Sequence, residues 1–271
     1  MRMNKILRYA ILALISFVFV FPIAWVALSS LKPQSELFTF PLTFLPSAPT
    51  LDNYRAAFAE GDFSRYFANS VFVTTVATVL TVIINLMAGY ALSKFRFRGR
   101  DLIFYTMVGT LMIPLQAIMV PVFLLLKDLG MLNSLWGIII PPAATPTGVF
   151  LARQYLQTIP DSFIEAARID GAGEFTIFSR IIVPLAKPIV ATIAIFSFMW
   201  RWNDFLWPFI VIASKGKMTL QLALANFVGQ YQINWASLLA MTVVTMIPMI
   251  LVFLSLQKHF VTGLTAGGVK A

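Results

Sequence analysis

Glu165-Ala166-Ala167-Arg168-Ile169-Asp170-Gly171, with Ile181-Ile182-Val183-Pro184 close behind it, is a polar island between two apolar runs. Its setting decides the fold. The runs on either side, roughly Leu135 to Leu156 and Pro188 to Ile212, are each near the about 20 residues a helix needs to cross a bilayer. A membrane chain has little reason to place an acidic helix and turn between two spans unless something outside the bilayer reads it.

Working outward, similar runs recur from Leu7 to Leu28, Tyr66 to Leu92, Leu102 to Leu126 and Leu238 to Leu256. Of 271 residues, 59% are hydrophobic and only 11% charged, against about 25% charged in soluble domains. The chain lacks the polar surface to face water all round. It reads as one all-α integral membrane domain over 1–271 with about six transmembrane helices, the first at 7–31 and a core at 66–257. The first run exceeds the about 7–15 apolar residues of a signal peptide, and more spans follow it.

The net charge of +9 would raise nucleic acid as a partner in a soluble protein. Here the basic residues sit at the ends of apolar runs and report topology instead. Arg2, Lys5, Arg8, the Lys94–Arg100 cluster, Arg153, Arg168, Arg180, Lys187, Lys258 and Lys270 fall on one side. By the positive-inside rule that side is the cytoplasm, with both termini and the polar segment 158–187 in it. The Pro-rich stretch Lys32 to Arg65 lies outside, as an ordered loop or short interfacial helices. With no cysteine and a lone His259 beside Lys258, no metal or redox site is expected.

Within the polar segment, Ser162 and Glu165 have capping-box spacing. Phe163, Ala166, Ala167 and Asp170 fall at i, i+3, i+4 and i+7, one face whose alanines allow close approach. Gly171 can take the left-handed conformation that ends a helix. A second amphipathic piece, Glu174 to Ile182, ends at Pro184. The residues alone leave two readings open: a surface loop with a helical turn, or a docking helix for a cytoplasmic partner. Prolines at 114, 121, 141, 142, 146 and 248 predict kinked spans. Asn85 and Gln116 read as interhelical hydrogen-bond glue.

The spacing from Glu165-Ala166-Ala167 through Gly171 to Ile181 and Val183-Pro184 resembles the EAA loop of binding-protein-dependent ABC importer permeases, with Val-Pro where Leu-Pro is usual. Trp202-Asn203-Asp204-Phe205-Leu206-Trp207-Pro208 resembles a fifth-span signature of the carbohydrate branch. The tail Gly263-Leu264-Thr265-Ala266-Gly267-Gly268-Val269-Lys270 is similar to the C-terminus of the maltose-type second permease subunit. The resemblance covers essentially the whole chain.

It implies a type I ABC importer transmembrane domain in a bacterial or archaeal cytoplasmic (inner) membrane, carrying a sugar or oligosaccharide. The implied partners are a second homologous permease, two ATPase subunits, an extracytoplasmic solute-binding protein, the sugar and the bilayer. ATP and Mg would be held by the ATPases; no cofactor is expected on this chain. Glu165, Ala166, Ala167, Asp170 and Gly171 would form the coupling contact, and Gly263, Leu264, Thr265, Gly267 and Lys270 an ATPase-contacting tail. Trp202, Asn203 and Asp204 are candidates for the sugar path. Arg201 and Asp204 also read as an i,i+3 pair that satisfies itself near the interface.

Other classes fit less well. The sequence holds no G-x-x-x-x-G-K-[ST] phosphate loop, and no Ser-His pair or paired intramembrane carboxylates for an enzyme. A secondary carrier would call for inverted repeats. Import of a non-sugar solute such as glycerol phosphate is the alternative within the leading class.

Overall fold

A computed structural model describes residues 5–60, 62–225, 228 and 233–268, as backbone alone at 60 and 258–268. Among these residues there is no strand beyond an isolated bridge between Val228 and Ile233. The helices are α1 (Lys5–Ser29), α2 (Asp52–Glu60), α3 (Phe63–Lys94), α4 (Arg100–Gly109), α5 (Leu115–Asp128), α6 (Leu135–Ile139), α7 (Pro146–Leu156), α8 (Ser162–Ile169), α9 (Glu174–Ile177), α10 (Val183–Leu185), α11 (Lys187–Trp202), α12 (Leu206–Val211), α13 (Leu220–Leu224) and α14 (Trp235–Gly268).

Three of these, α1, α3 and the part of α14 up to Gln257, are long and apolar enough to cross a membrane unbroken. Two bent pairs pass the same test of length and composition and bring the count to five where each pair is one span: α4 with α5, at 107°, and the segment Glu174–Leu185 with α11, at 81°. The third, fourth and fifth expected spans are not single rods, since helix is interrupted at Ile113-Pro114, across residues 140–145 and across Asn203–Phe205. Pro114 caps the start of α5, so the break falls where an N–H is missing. Pro141, Pro142 and Pro146 separate α6 from α7. Pro121 and Pro248 sit inside continuous helices, a placement that membrane helices tolerate.

The chain divides into two compact units, Met1–Tyr66 with Leu222–Pro248, and Phe67–Gln221 with Met249–Ala271. In the first, the polar loop after α1 is ordered by buried side chains. The Asn53 amide donates to the Ser30 and Lys32 carbonyls, at 2.8 and 2.7 Å. Lys32 is buried over the Trp25 ring and donates to the Thr43 carbonyl. Glu36 gathers the Thr43 and Ser47 hydroxyls at 2.9 and 2.8 Å.

In the second unit, α3 and α7 are brought together by small residues and one polar pair. Buried Asn85 donates to Thr145 Oγ1 at 2.8 Å and accepts from the Thr145 N–H at 3.0 Å. Thr145 in turn caps α7 by accepting from the Gly148 N–H, with Pro146 in the first turn. A methyl on Gly148 would lie 2.2 Å from Asn85 Nδ2, and one on Gly89 2.5 Å from the Ala152 methyl. The helices can approach this closely only because neither glycine carries a side chain. Asn85 thus acts as interhelical glue. Gln116 does not: it is exposed on the wall of a cavity.

Candidate functional site

The polar segment is built on a core shared by the ends of three helices. Leu86 and Tyr90 of α3, Ala152 and Leu156 of α7, and Ile189 and Ile193 of α11 bury together with Ile159, Ile177, Ile182 and Ala186. Helix α8 joins them through Ile164 and Ala167, three residues apart on one stripe. The expected face therefore divides. Ala167 is 7% exposed and packs inward, whereas Phe163, Glu165, Ala166 and Asp170 face out. The outward surface is also more apolar than its spacing indicates, because Ile169 and Phe175 are 86% and 77% exposed.

The ends of α8 differ from expectation at one side and match it at the other. No capping box forms: Asp161 is the N-cap residue and makes no side-chain cap bond. Its carboxylate accepts instead from Lys94 Nζ of α3 at 2.6 Å, and Lys94 also donates to the Ile159 carbonyl at 2.5 Å. At the far end Gly171 has φ +79°, the Gly171 N–H bonds the Arg168 carbonyl and the Ala172 N–H bonds the Ala167 carbonyl. Those two bonds are a Schellman closure, which requires the left-handed residue that glycine supplies.

A second tie joins the exit of the turn to α3. Arg168 Nε donates to Glu174 Oε1 at 2.7 Å, and the Tyr90 hydroxyl donates to Glu174 Oε2 at 3.2 Å. The Lys94 hydrogen bond, followed by its charge, holds the Asp161 carboxyl below the usual carboxylate range. The Arg168 hydrogen bond does the same for Glu174. Beyond α9 the chain makes a π-helical turn, Phe178–Ile182. Pro184 does not end the segment, as expected from its ring; the bend comes at Ala186, with Pro188 in the first turn of α11.

Of the expected tail contacts, Gly263, Leu264, Thr265 and Gly267 lie on α14, which continues to Gly268. Lys270 lies outside the described residues.

At the breaks of α4–α5, α6–α7 and α11–α12 lies a cavity of about 760 Å³. Its polar lining includes Gln116, Thr145, Arg201, Asn203 and Asp204, and its aromatic lining Trp200 and Trp207. Helix α11 ends at Trp202, and the Asp204 N–H still reaches the Arg201 carbonyl at 3.4 Å, so the two residues share the turn that closes the helix. No ion pair joins them among the described residues. Arg201 donates to the Pro142 carbonyl, its Nε is buried without a partner, and Asp204 Oδ1 accepts from the Trp207 N–H at 3.2 Å. Asn203 donates to the Met199 carbonyl at 2.9 Å. Trp202 is outside the lining: 2% exposed, it stacks on Phe198 and meets Phe67 edge-on.

Sequence reasoning missed Lys94 and Arg153 as structural groups and counted them only as topological charges. Arg153 is buried, donates to the Leu92 carbonyl at 3.2 Å, and lies over the Phe104 ring at 3.8 Å. It also missed Trp200, whose exposure on an apolar helix carries no one-dimensional signal.

The sequence pattern of the family described as binding-protein-dependent transport system inner membrane component matches residues 82–265. Arabinooligosaccharides transport system permease protein AraQ of Halalkalibacterium halodurans is 39% identical over 95% of this chain and 94% of its own length. Lactose transport system permease protein LacG of Rhizobium radiobacter is 32% identical over 99% and 97%. Among solved structures, a chain of a bacterial ABC transporter involved in the import of the acidic polysaccharide alginate aligns with a TM-score of 0.84. It is 28% identical and covers 94% of this chain and 95% of its own.

Proposed function

The chain belongs to the family of binding-protein-dependent transport system inner membrane components, and from that premise we propose that it is the permease subunit of an ATP-driven importer of a sugar or oligosaccharide. It is a transport subunit, not an enzyme. It forms half of the translocation pathway in a bacterial or archaeal cytoplasmic membrane, with six crossings and both termini inside. Its partners are a second, homologous permease, two ATPase subunits that bind ATP and Mg, and an extracytoplasmic solute-binding protein. The sugar assignment draws support from relatives named for arabinooligosaccharide and lactose transport.

Coupling to the ATPases runs through residues 158–187, with Glu165, Ala166, Asp170 and Gly171 on the docking side, joined by Phe163 and Ile169. Ala167 contributes from beneath by seating the helix. The observation that carries this reading is the split face of α8. Ile164 and Ala167 fasten it to the core of α3, α7 and α11, while apolar Phe163, Ile169 and Phe175 stand in the open. An exposed apolar patch rimmed by charge is a partner surface. A displacement imposed on that surface is delivered directly to three helices. The C-terminal residues Gly263, Leu264, Thr265, Gly267 and Lys270 give the ATPases a second contact.

The test is assembly of the purified permease pair with its ATPases. Ile169→Ser should weaken ATPase binding at least tenfold with the permease fold intact. Ile164→Ala should instead lower the melting temperature of the permease itself. Equal assembly of the Ile169→Ser variant and the parent would remove the docking role.

A further inference from the structure

Three helix breaks converge on the cavity of the second unit: at Ile113-Pro114, across residues 140–145, and across Asn203–Phe205. Non-helical backbone at membrane depth is tolerated where it is buried in protein or lines a wet cavity. In transporters, interrupted helices point to the substrate site. The cavity of about 760 Å³ falls within the about 300–1,000 Å³ of small-molecule sites.

The chemistry of the lining narrows the ligand. Arg201 and Asp204 supply one positive and one negative charge, each hydrogen-bonded to backbone and not to the other side chain among the described residues, and Gln116 adds an amide. The charges cancel, so the cavity exerts little net pull on an ion. Donors and acceptors held a few ångströms apart suit a polyol, whose hydroxyls both give and take hydrogen bonds. Trp200 lines the same space and is 69% exposed, leaving an indole face to stack on a sugar ring. Arg201 spends one terminal nitrogen of its guanidinium on the Pro142 carbonyl and lines the cavity, and its five-donor fork has further N–H groups for an acceptor there.

We propose that this cavity is a saccharide subsite belonging to the chain itself, in which Arg201, Asp204 and Gln116 hold sugar hydroxyls, Trp200 stacks on the ring, and the cancelling charges of Arg201 and Asp204 favour uncharged sugars. The inference rests on the transport function proposed above and adds to it. Selectivity would be exercised here as well as by the solute-binding protein.

The experiment uses the assembled transporter, with second permease and ATPases, in nanodiscs without binding protein. Binding of arabinotriose, lactose and a trigalacturonate is measured by calorimetry for the parent, Asp204→Asn and Trp200→Ala. The parent should bind the neutral probe and discriminate against the anionic one. Asp204→Asn leaves Arg201 unbalanced and should shift the ratio toward the uronate about tenfold, more at low salt. Trp200→Ala should weaken arabinotriose about tenfold. Two results overturn the subsite: parent transporter that binds neither arabinotriose nor lactose, or both variants matching the parent in affinity and ratio. ATP-driven saccharide uptake, measured in parallel with binding protein present, separates the two levels. Uptake by a parent whose variants are unchanged sinks the subsite alone, and no uptake of any saccharide sinks the transport reading.

Discussion

Lys94 ends the long helix α3 with its ammonium 2.6 Å from the carboxylate of Asp161, the residue that opens α8. The pair is lopsided. The Lys94 side chain is 4% exposed and that of Asp161 68%, so the lysine is anchored and the aspartate is the part that solvent reaches. Because Lys94 also bonds the Ile159 carbonyl, one buried ammonium fixes the segment entering α8 to the end of α3.

The two partners should therefore fail differently. Asp161→Asn removes a mostly exposed charge and should cost about 0.5–1 kcal/mol. Lys94→Met also strands the Ile159 carbonyl and should cost about 1–3 kcal/mol. Both loosen α8 on α3 without touching its outward face. Expected, then, is near-normal ATPase assembly with more ATP hydrolysed per sugar moved, the larger excess for Lys94→Met. Parallel phosphate-release and uptake assays in proteoliposomes measure that ratio, and an unchanged ratio in Lys94→Met would show the clamp to be irrelevant to coupling.

The same clamps set a pH limit. Asp161 and Glu174 both titrate below their ordinary values, held down first by hydrogen bonds from Lys94 and Arg168 respectively. A carboxylate with a depressed folded pKa contributes stability above its unfolded value and loses it as pH falls through the folded one. Unfolded values lie near about 4, so both ties are complete throughout the neutral range. Hydrogen exchange of the amides at 162–172 should show constant protection, once corrected for intrinsic rate, from about pH 5.5 to 8 and a decline only below about pH 4. A midpoint near neutrality would mean that some other group controls the segment.

How far the sequence carried this picture depends on the element. The helix over Ser162–Ile169, the glycine stop and the Asn85 contact were legible because each rests on local spacing or on a polar group that must find a partner in apolar surroundings. Broken spans were legible at Pro114 and Pro141-Pro142 but not at Asn203–Phe205, where no proline precedes the break in α11. Which alanine of Ala166-Ala167 faces out was not legible. Spacing places both on a shared arc, and only the packing of Ile164 into the core settles the rotation. Trp202 and Trp200 show the same difficulty: two identical residues two positions apart on α11, one buried against Phe67 and Phe198, the other open to the cavity.

Gly171 makes a prediction about backbone alone. A Cβ there would meet nothing within 4 Å, yet its φ is +79°. Gly171→Val should therefore cost about 1–2 kcal/mol through the left-handed conformation itself, fraying the end of α8. Gly171→Asn should retain most function, since asparagine visits that region readily. Transport rates in the order glycine, asparagine, valine would support the backbone argument. Equal loss in both variants would point to a contact that needs the glycine surface.

Gly148 poses the opposite case, a glycine whose φ is ordinary and whose space is filled. Adding a methyl places it 2.2 Å from Asn85 Nδ2 and 2.6 Å from Thr145 Oγ1, so Gly148→Ala must push α7 off α3 or break the Asn85–Thr145 bonds. The expected loss is about 1–3 kcal/mol from overpacking, read as a lower melting temperature of the purified permease pair. Asn85→Ala makes room for the methyl but strands the Thr145 N–H that Asn85 Oδ1 accepts, and by itself should cost a comparable amount. In the double variant the clash with the Asn85 amide disappears, while the 2.6 Å approach to Thr145 Oγ1 and the unsatisfied N–H remain. The combined loss should then fall short of the two single losses added together by about 1 kcal/mol or more. Strict additivity would place the damage of the methyl somewhere other than the Asn85 amide.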